Sequence, residues 1–190
     1  LSGVKQLITQ NEPVRICEIG CGGGDNLFAI YKYCLRNNIQ VVFTGIDLNP
    51  ECIAFAQQQY PQIPCDWICS DYATVNFGKN QPDIIFSSLF CHHFTNAQLV
   101  SMLKWLKVNS KKGFFINDLQ RHWLAYYLIK WITKFFSRSY LVKNDACISV
   151  ARSFTRQDWR DLFQQAGINN YSISWRWAFR FLVIFKKDPS

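Results

Sequence analysis

Short apolar runs alternate with helical stretches through the first half of the chain, the pattern of a parallel α/β sheet. Val14–Ile19 reads as a buried strand, followed at once by the glycine run Gly20–Gly24 and then a helix over Asn26–Arg36. Val41–Ile46 is a second strand ended by Asp47, and Pro50 suits the first turn of a helix running to Gln59. Cys65–Cys69, Asp83–Ser87 and Gly113–Asn117 make five strands, with a helix over Asn96–Leu106 between the last two. Beyond this point the pattern changes. His122–Phe136 is aromatic and helical in period, and Ser137–Arg152 shows no clear repeat. Thr155 is placed to cap a helix over Arg156–Ala166, with Gly167 just past its end. Tyr171–Trp177 and Phe179–Lys186 are two strands joined too tightly for a helical crossover, which predicts antiparallel pairing.

Apolar residues at 49% and aromatics at 16% of 190 residues exclude a disordered chain and suit one core. No apolar run reaches the roughly 18 residues of a membrane span and no secretory signal is visible, so a cytoplasmic setting is expected. The eight cysteines are Cys17, Cys21, Cys34, Cys52, Cys65, Cys69, Cys91 and Cys147. They stand singly in apolar segments, as buried free thiols do. Cys65 and Cys69, even with His92 and His93 downstream, lack the tight ligand pairs of a structural zinc site, and no metal is expected. Charge is uneven: residues 1–103 carry a net −3 and residues 104–190 a net +11. A basic half is compatible with nucleic acid, an anionic membrane or an acidic substrate, and also with an ordinary solvated surface.

The chemistry gathers where strands end. Glu18-Ile19-Gly20-Cys21-Gly22-Gly23-Gly24 lies between a strand and a helix, and glycines there let a ligand approach the backbone. Asp47 ends the second strand, where it can accept from two ribose hydroxyls, and Asp71-Tyr72 follow the third. This arrangement suits a nucleoside lying across the carboxyl ends of parallel strands. A dinucleotide site would want GxGxxG, but Asp25 occupies the position of the third glycine and would repel a pyrophosphate. S-adenosylmethionine has no phosphate, and its ammonium favours nearby acids.

These segments resemble the motifs of class I S-adenosylmethionine-dependent methyltransferases. Glu18–Gly24 resembles their first motif, Gly45–Pro50 the second and Cys69–Tyr72 the third. Asp83–Phe94 resembles the fourth, in its small-molecule methyltransferase form, and Phe154–Ile168 a late helix with its Ala-Gly end. The resemblance implies one α/β domain with a Rossmann-like, doubly wound sheet of seven strands. Its order would be 3-2-1-4-5-7-6 with strand 7 antiparallel, a helical cap inserted at about 121–152, and a shortened N-terminal helix. S-adenosyl-L-methionine would be the cofactor and S-adenosyl-L-homocysteine its product. By position, Glu18 and Gly20, with Cys21, Gly22 and Gly24, would lie near the methionine part. Asp47 and Leu48 would meet the ribose side, Asp71 and Tyr72 the adenine, and Ser87 and Ser88 the sulfonium.

The acceptor side is read from the loops bordering the same crevice. His92, His93, Asp118 and His122 are the candidate base or acceptor anchors, because a phenol or enol must lose its proton as the methyl arrives. Alignment of nucleophile and sulfonium alone is the competing mechanism. Arg121, Trp123, Tyr127 and Trp131 are expected to wall a small aromatic or apolar acceptor. The same aromatic stripe, with Lys130 and Lys134, also suits peripheral contact with a membrane. The segment from Asn117 to Trp159 resembles methyltransferases acting on polyketide-type phenols. An RNA or other nucleic-acid methyltransferase is the alternative reading of the basic half. Against base amino-group chemistry, Ser87-Ser88-Leu89-Phe90 stands where an Asn/Asp-Pro-Pro-aromatic tetrad would be required, and no specific nucleic-acid partner is expected. A donor-binding protein without catalysis is a third reading, from a different class.

Overall fold

The apolar runs at 14–19, 84–88 and 113–116 are buried almost throughout, as parallel strands between two helix layers must be. The computed structural model describes residues 2–8, 13–122 and 152–187. In chain order the elements are α1 (Ser2–Leu7), β1 (Val14–Ile19), α2 (Asp25–Arg36), β2 (Val41–Asp47), α3 (Pro50–Gln59) and β3 (Cys65–Cys69). They continue with β4 (Ile84–Ser88), α4 (Asn96–Asn109), β5 (Gly113–Leu119), α5 (Arg156–Gln165), β6 (Tyr171–Arg176) and β7 (Arg180–Lys186). Three 3₁₀ turns, Tyr72–Thr74, Gly78–Asn80 and Cys91–His93, lie in the connections.

The strands form one sheet in the order β3-β2-β1-β4-β5-β7-β6. β1 to β5 pair in parallel, while β7 runs antiparallel to both β5 and β6, as expected. The period of two sends Phe114 and Ile116 to one face and Phe115 to the other. α4 and α5 cover the first face through Leu99, Leu103, Trp159 and Phe163. α1, α2 and α3 cover the second through Val4, Leu27, Ile30 and Ile53, over a stacked Phe86–Phe115 pair 4.8 Å apart.

Local signals set the helix starts. Thr95 and Gln98 form a capping box on α4, Thr155 and Asp158 another on α5, and the Asn49 side chain caps α3 ahead of Pro50. The chain leaves the sheet after β5 and returns beside it, with Arg121 N donating to Phe154 O at 2.9 Å. The expected helix His122–Phe136, and the cap residues Trp123, Tyr127 and Trp131, fall outside the described residues from 123 onward.

Candidate functional site

A cavity of about 420 Å³ opens at the carboxyl ends of β1 to β4. Gly20, Asp47, Leu48, Asp71 and Tyr72 line it, five residues singled out from the sequence. The turn after β1 holds Gly22 at φ +51° and Gly24 at φ +84°, a region that L side chains rarely adopt. No atom lies within 4 Å of where a Gly22 Cβ would stand, so the backbone there is open to a ligand. Gly24 has a second constraint: a Cβ would lie 2.5 Å from the Trp67 ring.

Asp47 anchors this turn. Its Oδ2 accepts from Gly22 N at 2.8 Å and its Oδ1 from Asn49 N at 2.9 Å. A carboxylate offers about four lone-pair sites, so two hydroxyls can still be accepted. Asp71 Oδ1 caps the next turn by accepting from Ala73 N at 2.9 Å. Leu48 is 69% exposed at the cavity rim, an apolar surface in want of a partner. Tyr72 packs edge-on against Phe90 and Trp105, and burial with Asp71 and Cys91 nearby pushes its phenol up to about 12.

Glu18 is fully buried. Its Oε1 accepts from Asn26 Nδ2 at 2.8 Å, while Oε2 has no partner among the described residues. Burial pushes its carboxyl well above the usual 4.5, with Asp25 and Asp47 adding to the rise and the Asn26 hydrogen bond opposing it. A carboxyl raised in the folded state stabilises the fold below its unfolded pKa, and that contribution is lost as pH rises through the folded value. Glu18→Gln is therefore expected to match the parent near pH 4 and to exceed it in stability on the alkaline side. Denaturant unfolding of both proteins across that range checks this, and parallel curves would rule it out. Cys21 is buried as well, its thiol held well above the ordinary value by desolvation and then by Glu18 and Asp47, so it packs rather than reacts.

On the α4 side of the sheet, Asp118 is fully buried at the end of β5. Its Oδ2 accepts from Phe90 N at 3.1 Å and Cys91 N at 2.7 Å, and Oδ1 accepts from Leu119 N at 2.7 Å. His92 Nδ1 lies 2.8 Å from Oδ1. A carboxylate only accepts, so Nδ1 is the donor in this contact. The bonds also fix the loop after β4, whose Phe90 ring lies over Gly20, 2.3 Å from where a Cβ would stand.

The remaining predicted residues divide. His93 stacks beside His92 with ring centres 4.2 Å apart, whereas His122 stacks on Phe179 at 5.3 Å, in the loop after β5. Ser87 and Ser88 part company. Ser87 is sealed in the core with its hydroxyl 3.6 Å from Cys91 Sγ, and Ser88 accepts from Asn117 Nδ2 at 3.1 Å on the opposite face. Arg121 is tied to Asp158 at 2.6 Å, at the start of α5. The sequence reading missed Phe90, Phe94, Gln98 and Ser101, which close the cavity from the α4 side. Phe90 and Phe94, spaced four apart around the two histidines, were its visible signal. Several cations of the basic half are spent on the fold: Lys107 and Lys187 donate to backbone carbonyls, as does Arg156. Among the described residues no His, Cys, Asp or Glu cluster of three or more could hold a metal, and no helix is long and apolar enough to cross a membrane.

The geometry has clear relatives. The 5-methylorsellinic acid synthase of Aspergillus terreus is 27% identical over 109 residues, 54% of this chain. The chain spans only 4% of that relative's length. The plantazolicin methyltransferase structure in complex with SAH superposes with a TM-score of 0.71 at 19% identity, covering 97% of this chain and 80% of that one. Magnesium protoporphyrin IX methyltransferase of Synechocystis PCC 6803, with bound SAH, gives 0.61 at 15% identity, covering 93% and 74%. The family described as a methyltransferase domain matches residues 16–113, over half of the chain. This protein belongs to that methyltransferase family and has the Rossmann-like fold of its class I, S-adenosylmethionine-dependent members.

Proposed function

We propose that the chain transfers a methyl group from S-adenosylmethionine to an oxygen or carbon of a small aromatic or apolar acceptor. One observation carries the donor assignment: Asp47 and Asp71 face a single cavity at the ends of adjacent parallel strands, beside an open glycine turn. Bound there, the donor supplies a methyl group on a cationic sulfur. Asp47 would take the ribose hydroxyls on its free lone pairs, and Leu48 and Tyr72 would flank the adenine. The unpartnered Oε2 of Glu18 suits a cationic or hydrogen-donating group at the methionine end, and such a cation would favour its ionised form.

His92 is the base in this reading, since Asp118 fixes the tautomer that leaves Nε2 able to take a proton from a phenol or enol. Arg121 and the cap residues Trp123, Tyr127 and Trp131 are assigned to acceptor selection. The names of the relatives support a small acceptor: one is a 5-methylorsellinic acid synthase, the others are methyltransferases of plantazolicin and magnesium protoporphyrin IX.

Calorimetry with SAH and with NAD tests the donor assignment. SAH is expected to bind and NAD not to, and the reverse would overturn it. Asp47→Ala is expected to weaken SAH binding by about 1–3 kcal/mol, the cost of hydroxyls losing a charged acceptor. An unchanged affinity in a folded variant would remove Asp47 from the site.

A further inference from the structure

A second cavity, of about 170 Å³, lies on the α1–α2 side of the sheet and shares no lining residue with the first. Its polar wall is Asn26 of α2, Ser88 at the end of β4, Asn117 of β5 and Arg176 at the end of β6, with Ser2 of α1. Arg176 Nη2 donates to Ser2 Oγ at 3.0 Å, and its Nε is buried with no acceptor among the described residues. Directly across the hairpin stands Arg180, the register partner of Arg176, and its Nε is likewise buried and unpartnered. Neither arginine has a carboxylate partner among the described residues, whose ion pairs are His92–Asp118 and Arg121–Asp158.

Two like charges opposite one another across a strand pair are unfavourable, and a buried N–H without an acceptor adds to the cost. A flat anion in the cavity beside Arg176 would offset the repulsion. The guanidinium presents its N–H groups as a fork that matches a carboxylate, and the Asn26 and Asn117 amides can add donors. We propose that this cavity is the carboxylate-binding subsite for the acceptor, so that the enzyme methylates acidic small molecules. The inference rests on the methyltransferase reading above and adds the acceptor's chemical class to it.

The donor's own carboxylate is the competing occupant, and the position of Arg176 argues against it. β6 is the edge strand, four places from β1 in the sheet, or about 19 Å at the usual strand spacing of about 4.8 Å. The arginine therefore enters from the β4–β5–β7 side, whereas Asn26, which holds Glu18 at the methionine end, forms the opposite wall.

Benzoate and its neutral isostere benzamide are the probes, titrated against the SAH-loaded protein by calorimetry or thermal shift. Benzoate is expected to bind at least about tenfold more tightly than benzamide, as a charge-assisted fork predicts. Arg176→Gln should bring the two within about twofold, and Arg176→Lys, which keeps the charge but not the fork, should fall between. No benzoate preference in the parent protein would overturn the proposal, whatever the fate of the variants. So would an Arg176→Gln protein that loses affinity for SAH but not for 5′-methylthioadenosine, which lacks the amino-acid carboxylate. If the parent protein binds no SAH, the methyltransferase reading fails instead, and benzoate titrated alone still reads the subsite.

Discussion

Asp118→Asn is expected to cost about 2–4 kcal/mol of stability and to lower the thermal midpoint by about 5–15 °C. The carboxylate accepts four hydrogen bonds at zero exposure, from Phe90 N, Cys91 N, Leu119 N and His92 Nδ1. An asparagine has the same shape but one oxygen, so its NH₂ must face two of these donors. Donor against donor in the core is worse than an unmade bond, because neither side can turn to water. The damage should reach the cofactor as well. Phe90 is held by this carboxylate and lies against Gly20, so loosening it opens the cavity wall and should weaken SAH by severalfold. Thermal unfolding and SAH calorimetry on the variant measure both effects. A midpoint within about 2 °C of the parent would show that the loop after β4 is held by other contacts.

That network shows where the sequence was legible and where it was not. Val14–Ile19 and Cys65–Cys69 begin and end in the structure where their apolar and polar patterning placed them. Turn chemistry did as well: Pro50 in its first turn marks the start of α3, and the Thr155 cap that of α5. The errors lie where polar residues continue a regular element. β5 runs to Leu119 rather than Asn117, because Asn117 and Asp118 stay paired with Leu182 and Phe181 of β7. A strand carrying two polar residues in succession looks finished until its neighbours are known. α4 likewise continues to Asn109 with Val108 turned to solvent, its last turn held by Ser110 N on Leu106 O.

The site divides along the same line. Gly20, Asp47, Asp71 and Tyr72, which line one cavity, could be named as candidates because each lies within a few residues of a strand end. The His92–Asp118 contact joins residues 26 apart through the pairing of β4 with β5, so spacing alone could name both residues but not their bond. Ser87 and Ser88 are a case in which the information was present. The strand period of two sends neighbours to opposite faces, so both could not point at one atom. Arg176 and Arg180 were invisible for a related reason, since their pairing depends on the register of a hairpin between the last two strands.

The largest catalytic effect is expected at His92. His92→Asn should lower kcat by about 10²–10⁴, the usual contribution of a positioned proton acceptor, while SAH affinity stays within about twofold. The separation follows from the geometry: His92 lies on Asp118 on the α4 face and does not line the nucleoside cavity. Asparagine can still donate toward Asp118 Oδ1, so the buried carboxylate keeps a partner and the fold should survive. Chemical rescue separates a base from a positioning role. Added imidazole should restore part of the rate to His92→Asn, because a free proton acceptor can replace the lost one. It should leave unchanged a variant that has only lost packing. His93→Asn is the internal comparison, because that ring lies 4.2 Å from His92, tilted against it, and is exposed where His92 is buried. If imidazole rescues His93→Asn and not His92→Asn, the base is the second histidine, and the Asp118 contact serves to hold the loop that carries it.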